Sequence, residues 1–143
     1  MTMFLMLATM VPAHAANRQI DGPVAAEVVK VIDGDTVLVE AMPWPDHKVS
    51  TYVRLRGIDA PELRSKCPAF RKAALQAKIE LTSLMGEQLT VQLTAIPGDK
   101  YFGRVVADLT LLDGTRPAEL LLDAGLVEPY YGRTKSRRPC PDG

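Results

Sequence analysis

The stretch AEVVKVIDGDTVLVEA, residues 26–41, decides the fold. Two runs rich in β-branched residues, 26–31 and 36–41, flank Asp33, Gly34 and Asp35. Asx residues around a glycine suit a tight turn, so the stretch predicts a β-hairpin. Downstream, 49–58 alternates, with Val53 and Leu55 on one face and Tyr52, Arg54 and Arg56 on the other. That is the period-two pattern of a half-buried strand, and it points its arginines the same way. Between the two, 42–48 carries two prolines, Trp44 and His47 and reads as an exposed loop, with loop packing the expected role of Trp44.

Further along, Phe70, Ala74, Ala77, Leu81 and Leu84 recur at helical spacing, so 69–85 predicts a helix with Pro68 near its start and Gly86 at its end. Strands are expected at 88–94 and 105–112 around a loop at 95–103, then a short helix at 117–124 stopped by Gly125. Three strands, a helix, two strands and a helix match the order of an oligonucleotide-binding (OB-fold) barrel. The expectation is therefore a mainly β chain with helices (α+β): a five-stranded OB-fold barrel with two packed helices. Another small β-barrel with external helices is the alternative.

With 143 residues, 47% of them apolar, the chain has the size of one domain with a real core. Residues 3–11 form an uncharged apolar run followed by Pro12 and the small-x-small sequence Ala13-His14-Ala15, which predicts a signal peptide over 1–15 cleaved before Ala16. No basic residue precedes the run, so its n-region is weak or the start lies further upstream. The run has about half of the roughly 20 residues that a membrane anchor needs, so export to the periplasm or medium is the expectation. Residues 16–25 read as a linker and 26–143 as the domain, ending in a basic tail.

The 17 basic and 17 acidic residues balance, which excludes the global positive field of a nucleic-acid coating protein. Any contact with nucleic acid is then local. Cys67 and Cys140 lie far apart and form no zinc-ligand pair. In an oxidising compartment they would join as a disulfide tying the tail to the body, the alternative being two separate thiols.

Asp33, Asp35, Asp59 and Glu62 fall at strand ends, an oxygen-donor set suited to a hard cation with room left for a phosphate oxygen. For Asp33 an Asx-turn satisfied by backbone amides is the favoured reading, and caps or surface positions are the plain alternatives for Asp59 and Glu62. Arginine suits a phosphodiester, because its planar fork donates two parallel hydrogen bonds and stays protonated at any working pH. Arg54 and Arg104 are the candidates.

Three segments, Val31-Ile32-Asp33-Gly34-Asp35-Thr36, Arg54 to Glu62 (RLRGIDAPE) and Asp99 to Arg104 (DKYFGR), resemble in order and spacing the signature segments of the staphylococcal nuclease (thermonuclease) family. The resemblance covers about residues 26–131. It implies an OB-fold barrel, dependence on Ca²⁺, and hydrolysis of DNA and RNA, with single strands or frayed duplexes suiting a shallow groove. Position by position, it implies that Asp35, Asp59 and the Ala60 carbonyl hold calcium. It makes Glu62 the general base or water orienter, and Arg54 and Arg104 the clamp on the phosphate. Lys100 and Tyr101 resemble the pair that contacts a terminal phosphate, and Tyr130 or Tyr131 an aromatic platform for a base. Phe102 stands where the common pattern has no residue, Ala60 replaces a threonine, and the tail Arg133 to Arg138 replaces a long third helix.

The main rival is an OB-fold module that binds nucleic acid or protein without cleavage. A pure binder has no use for carboxylates beside a polyanion that they repel, which favours catalysis. A histidine-based nuclease has little to work with, since His47 is the one histidine after residue 15. A disulfide-secured structural protein explains the cysteines but not the clustered Asp, Glu and Arg. The expected state is a monomer without stable membrane association after processing.

Overall fold

A computed structural model of the chain describes residues 18–87, 90–135 and 138–141. The signal peptide, its cleavage site and the first two residues of the strand expected at 88–94 lie outside the described residues. In chain order the elements are β1 (Gln19–Ile20), β2 (Val24–Val31), β3 (Thr36–Trp44), β4 (His47–Leu55), β5 (Ile58–Asp59), α1 (Pro68–Met85), β6 (Thr90–Thr94), β7 (Ile96–Pro97), β8 (Arg104–Leu111), α2 (Pro117–Asp123) and β9 (Glu128–Pro129). Among the described residues no helix is long and apolar enough to cross a membrane.

Five strands close a barrel in the order β2-β3-β4-β8-β6, with β6 returning to β2. Every barrel pairing is antiparallel except β4 with β8. A parallel pair cannot be joined by a tight turn, and the segment from β5 through α1, β6 and β7 supplies the crossover. This is the OB-type α+β barrel that the element order implies, with two helices outside it.

Alternation builds the barrel interior. In β2 Val24, Ala26 and Val28 face inward while Ala25, Glu27 and Val29 face out, until a register shift between Val28 and Lys30 ends the pattern. Val37, Val39, Val53, Leu55, Val91, Leu93, Ala107 and Leu109 complete the packed interior. Helix α1 buries Ala74, Ala77, Leu81 and Met85, one stripe at spacings of three and four. Pro68 opens it at a position whose amide would have no helical partner, and Gly86, at φ 53°, ends it. Pro117 opens α2 in the same way, and α2 buries Leu121 against the core.

The segment 42–48 departs from its expected loop. β3 and β4 continue through it to the pair Trp44–His47, leaving a turn of Pro45 and Asp46. Pro45 presets a negative φ, and Asp46 takes a positive one of 61°. Pro43 is tolerated because it lies in the register shift between Ala41 and Trp44, beyond the last residue of β3 that pairs with β2. Trp44 stays half exposed, its ring 5.7 Å from that of His47. Within 16–25, β1 pairs with β7, and Val24 and Ala25 belong to β2. Two short ribbons thus lie beside the barrel, β1 with β7 and β5 with β9.

Candidate functional site

The turn between β2 and β3 aims Asp35 at the end of β4. Its amide donates to Asp33 Oδ1 at 3.0 Å, so Asp33 closes an Asx turn, and its carbonyl accepts from the Leu55 amide at 2.8 Å. Gly34 makes the turn possible: a Cβ there would lie 2.6 Å from the Ala77 Cβ of α1 and 2.9 Å from the Ala60 Cβ. The turn is therefore wedged between the helix and the segment after β5.

Asp35 is buried, and each oxygen of its carboxylate has partners. Oδ1 accepts from Thr36 Oγ1 at 2.8 Å; Oδ2 accepts from the Ala60 amide at 2.8 Å and pairs with Arg54 Nη1 at 2.8 Å. Burial alone would raise this carboxyl, but the Ala60 amide and the Arg54 guanidinium outweigh it and hold it below the usual carboxylate value. Asp33 moves the other way, pushed up by burial and by the Asp35 charge.

Arg54 is the centre of the cluster. It projects from the outer face of β4, with 14% of its side chain exposed, and its second terminal nitrogen donates to Asp59 Oδ1 at 2.9 Å and the Ile58 carbonyl at 3.2 Å. Tyr130, following β9, places its ring 5.3 Å from the guanidinium carbon. The ribbon of β5 and β9 makes this possible, because it holds Asp59 opposite Glu128 and lets the Tyr130 amide donate to the Gly57 carbonyl. Burial disfavours the Arg54 charge, but Asp35 and Asp59 more than offset it and raise its pKa above the ordinary arginine value.

Arg104 opens β8, and the parallel register sets it opposite Tyr52 on the face that carries Arg54. The two arginines are thus one strand and two residues apart, on the order of 8 Å between Cα atoms by standard strand spacing. Arg104 Nε pairs with Asp99 Oδ2, and its guanidinium carbon lies 4.5 Å from the Tyr101 ring centre. Lys100 lies over the same ring at 5.0 Å. Phe102, at the tip of this loop, is fully exposed. Burial would raise the Asp99 carboxyl, but its bond from Arg104 and the Lys100 amide hold it low.

Asp35, Asp59, Arg54 and Tyr130 come together directly. Arg104, Lys100 and Tyr101 form a second group on the neighbouring strand. Glu62 is 72% exposed, and Tyr131 stands in solvent. Tyr130 and Tyr131 both line a cavity of about 570 Å³ whose other walls include Arg54, Arg56, Asp108 and Arg116. Arg56 pairs with Asp108 at 3.3 Å and with the Ala95 carbonyl. Cys67 and Cys140 are joined by a disulfide.

Sequence reasoning missed Asp99 as the partner of Arg104, and Lys135. The Lys135 ammonium pairs with Asp59 Oδ1 at 2.8 Å and comes within 4.0 Å of Glu62. A charge complementary to Arg104 five residues away was a usable signal for Asp99; nothing local signalled Lys135.

Among the described residues no three Asp, Glu, His or Cys side chains are grouped closely enough to form a metal cage. The donor chemistry still fits a hard cation that keeps several waters: two carboxylates, Asp35 and Asp59, are held by the two terminal nitrogens of one guanidinium, and Asp59 already accepts an ammonium. No protein-family model matches the chain, and no curated protein is significantly similar to it.

Proposed function

We propose that this chain is a calcium-dependent nuclease of the staphylococcal nuclease type, hydrolysing phosphodiester bonds of DNA and RNA. The observation that carries this reading is the convergence of Asp35 and Asp59, from separate strand ends, on Arg54, with Tyr130 against the same guanidinium. A structural ion pair needs neither the second carboxylate nor the aromatic ring.

In this reading Asp35, Asp59 and the Ala60 carbonyl hold Ca²⁺, which when bound polarises the phosphoryl oxygens and offsets their growing charge. The rest belongs to the chain's own side chains. Arg54 and Arg104 donate to the non-bridging oxygens of one phosphate from the same face of the barrel. Glu62, exposed to solvent, orients water and accepts its proton as the water oxygen attacks phosphorus; the opposite ester bond breaks, and the departing oxygen takes a proton from solvent water. Tyr130 and Tyr131 offer faces on which a base can stack, which suits single-stranded or frayed substrates. The chain acts as a monomer in the periplasm or outside the cell, and its disulfide supports such an oxidising compartment.

A second reading, an OB-type module that binds without cutting, draws on one observation: Arg54, Arg104 and Asp59 already have internal charge partners. Cleavage of single-stranded DNA separates the two. Activity is expected with calcium, none with chelator, and a fall of roughly 10²–10³-fold in kcat for Arg104→Ala, the scale of losing one preorganised donor to the transition state. Glu62→Gln is expected to keep the fold and lose most of the turnover. Tight binding by folded wild-type protein with no calcium-dependent cleavage would give the function to the binding module.

A further inference from the structure

Three contacts hold the described residues of the tail against the site. Lys135 sits on Asp59, Arg138 pairs with Glu128 at 2.5 Å, and Cys140 is bonded to Cys67. Glu128 is the residue opposite Asp59 in the β5–β9 ribbon, so the first two contacts pin the tail across that ribbon. The third closes a frame, because Cys67 lies five residues after Glu62 and Cys140 five residues after Lys135. Between tail and ribbon lies a second cavity of about 570 Å³, lined by Asp59, Glu128, Tyr130, Tyr131, Arg133 and Lys135.

The charges explain why Lys135 stays there. Arg54 alone faces two carboxylates, Asp35 and Asp59, so the cluster carries an uncompensated negative charge before the tail is counted. The Lys135 ammonium supplies the missing positive charge. Tethering makes its local concentration fixed and high, unlike that of a dissolved cation.

We propose that Lys135 is a built-in cation of this site, one that occupies Asp59 within reach of Glu62 and must be displaced when a divalent ion binds. The inference rests on the cation reading given above. Lys135 then sets the affinity of the site for calcium: it lowers that affinity and holds Asp59 in place when calcium is scarce.

Calcium titration calorimetry on the oxidised full chain tests this without reference to cleavage. Lys135→Ala is expected to bind calcium about three- to fivefold more tightly than wild type, the scale of a half-exposed ion pair. Lys135→Arg, which keeps the charge, is expected to stay near wild type. In the unmodified protein, calcium should also speed acylation of the Lys135 amine, read by peptide mass spectrometry, so the test does not depend on a variant folding. Wild-type binding with equal or weaker binding by Lys135→Ala, or an acylation rate indifferent to calcium, would overturn the inference while leaving the cation reading intact. Absence of calcium binding in all chains would overturn both.

Discussion

At the scale of single residues, the site depends on how closely Gly34 lets α1 and the segment at Ala60 approach. A methyl at position 34 meets the Ala77 Cβ at 2.6 Å, and neither side chain there is long enough to swing aside. Gly34→Ala is therefore expected to cost about 1–3 kcal/mol, as overpacking does elsewhere, and to displace Asp35 from Arg54. Urea unfolding checks the first part; an unchanged midpoint would mean that the helix yields freely. Much of this cluster was legible in the sequence. Asp35, Arg54 and Asp59 sit where a turn and a strand end must place them, and their charges call for each other. The Asx turn at Asp33 was legible for the same local reason. Lys135 was not, because its contact depends on the path of an irregular tail, and no periodicity records such a path.

At the scale of elements, β-rich runs, alternation and helical spacing identified the five barrel strands and α1, and Pro117 and Gly125 bounded α2, while the segment 42–48 shows where composition misleads. Prolines and a tryptophan suggested a loop; one proline falls in a register shift and the other presets the turn, so the hairpin runs on to Trp44 and His47. The ribbons β1–β7 and β5–β9 escaped notice because two residues are too few to show alternation. The corner between β6 and β7 carries a testable cost. Ala95 there has φ 50°, its amide donates to the Asp21 carbonyl, and its own carbonyl accepts from Arg56. The left-handed region costs a non-glycine residue about 1–2 kcal/mol, and glycine loses part of that advantage to chain entropy. Ala95→Gly is thus expected to stabilise the protein by about 0.5–1 kcal/mol. A lowered thermal midpoint would show that the positive φ is not the costly feature of this corner.

At the scale of the molecule, the barrel brings three perturbed carboxyls to the site, and their signs fix its response to acid. Asp35 and Asp99 are held below their ordinary value of 3.8 in the folded state, so their contributions to stability are present above that pH and are lost as pH falls through their folded values. Asp33 is raised, so between 3.8 and its folded value it acts in the opposite sense, the folded state gaining protons before the unfolded one does. Stability measured in urea is expected to hold down to about pH 4 and to fall below 3.8, and Asp35→Asn should flatten that acid limb. An equally steep limb in the variant would remove Asp35 from the explanation. The barrel itself could be read from the order of the elements, because strand alternation and short connections leave few ways to close five strands. The disulfide adds a property that no strand pairing provides. Cys67 precedes, and Cys140 follows, the exposed loop that carries Lys100, Tyr101 and Phe102. A protease that nicks that loop cuts the backbone without separating the molecule. The piece ending in α1 and β6 stays covalently joined to the piece bearing Arg104 and Tyr130, and a severed chain keeps both halves of its site at one address.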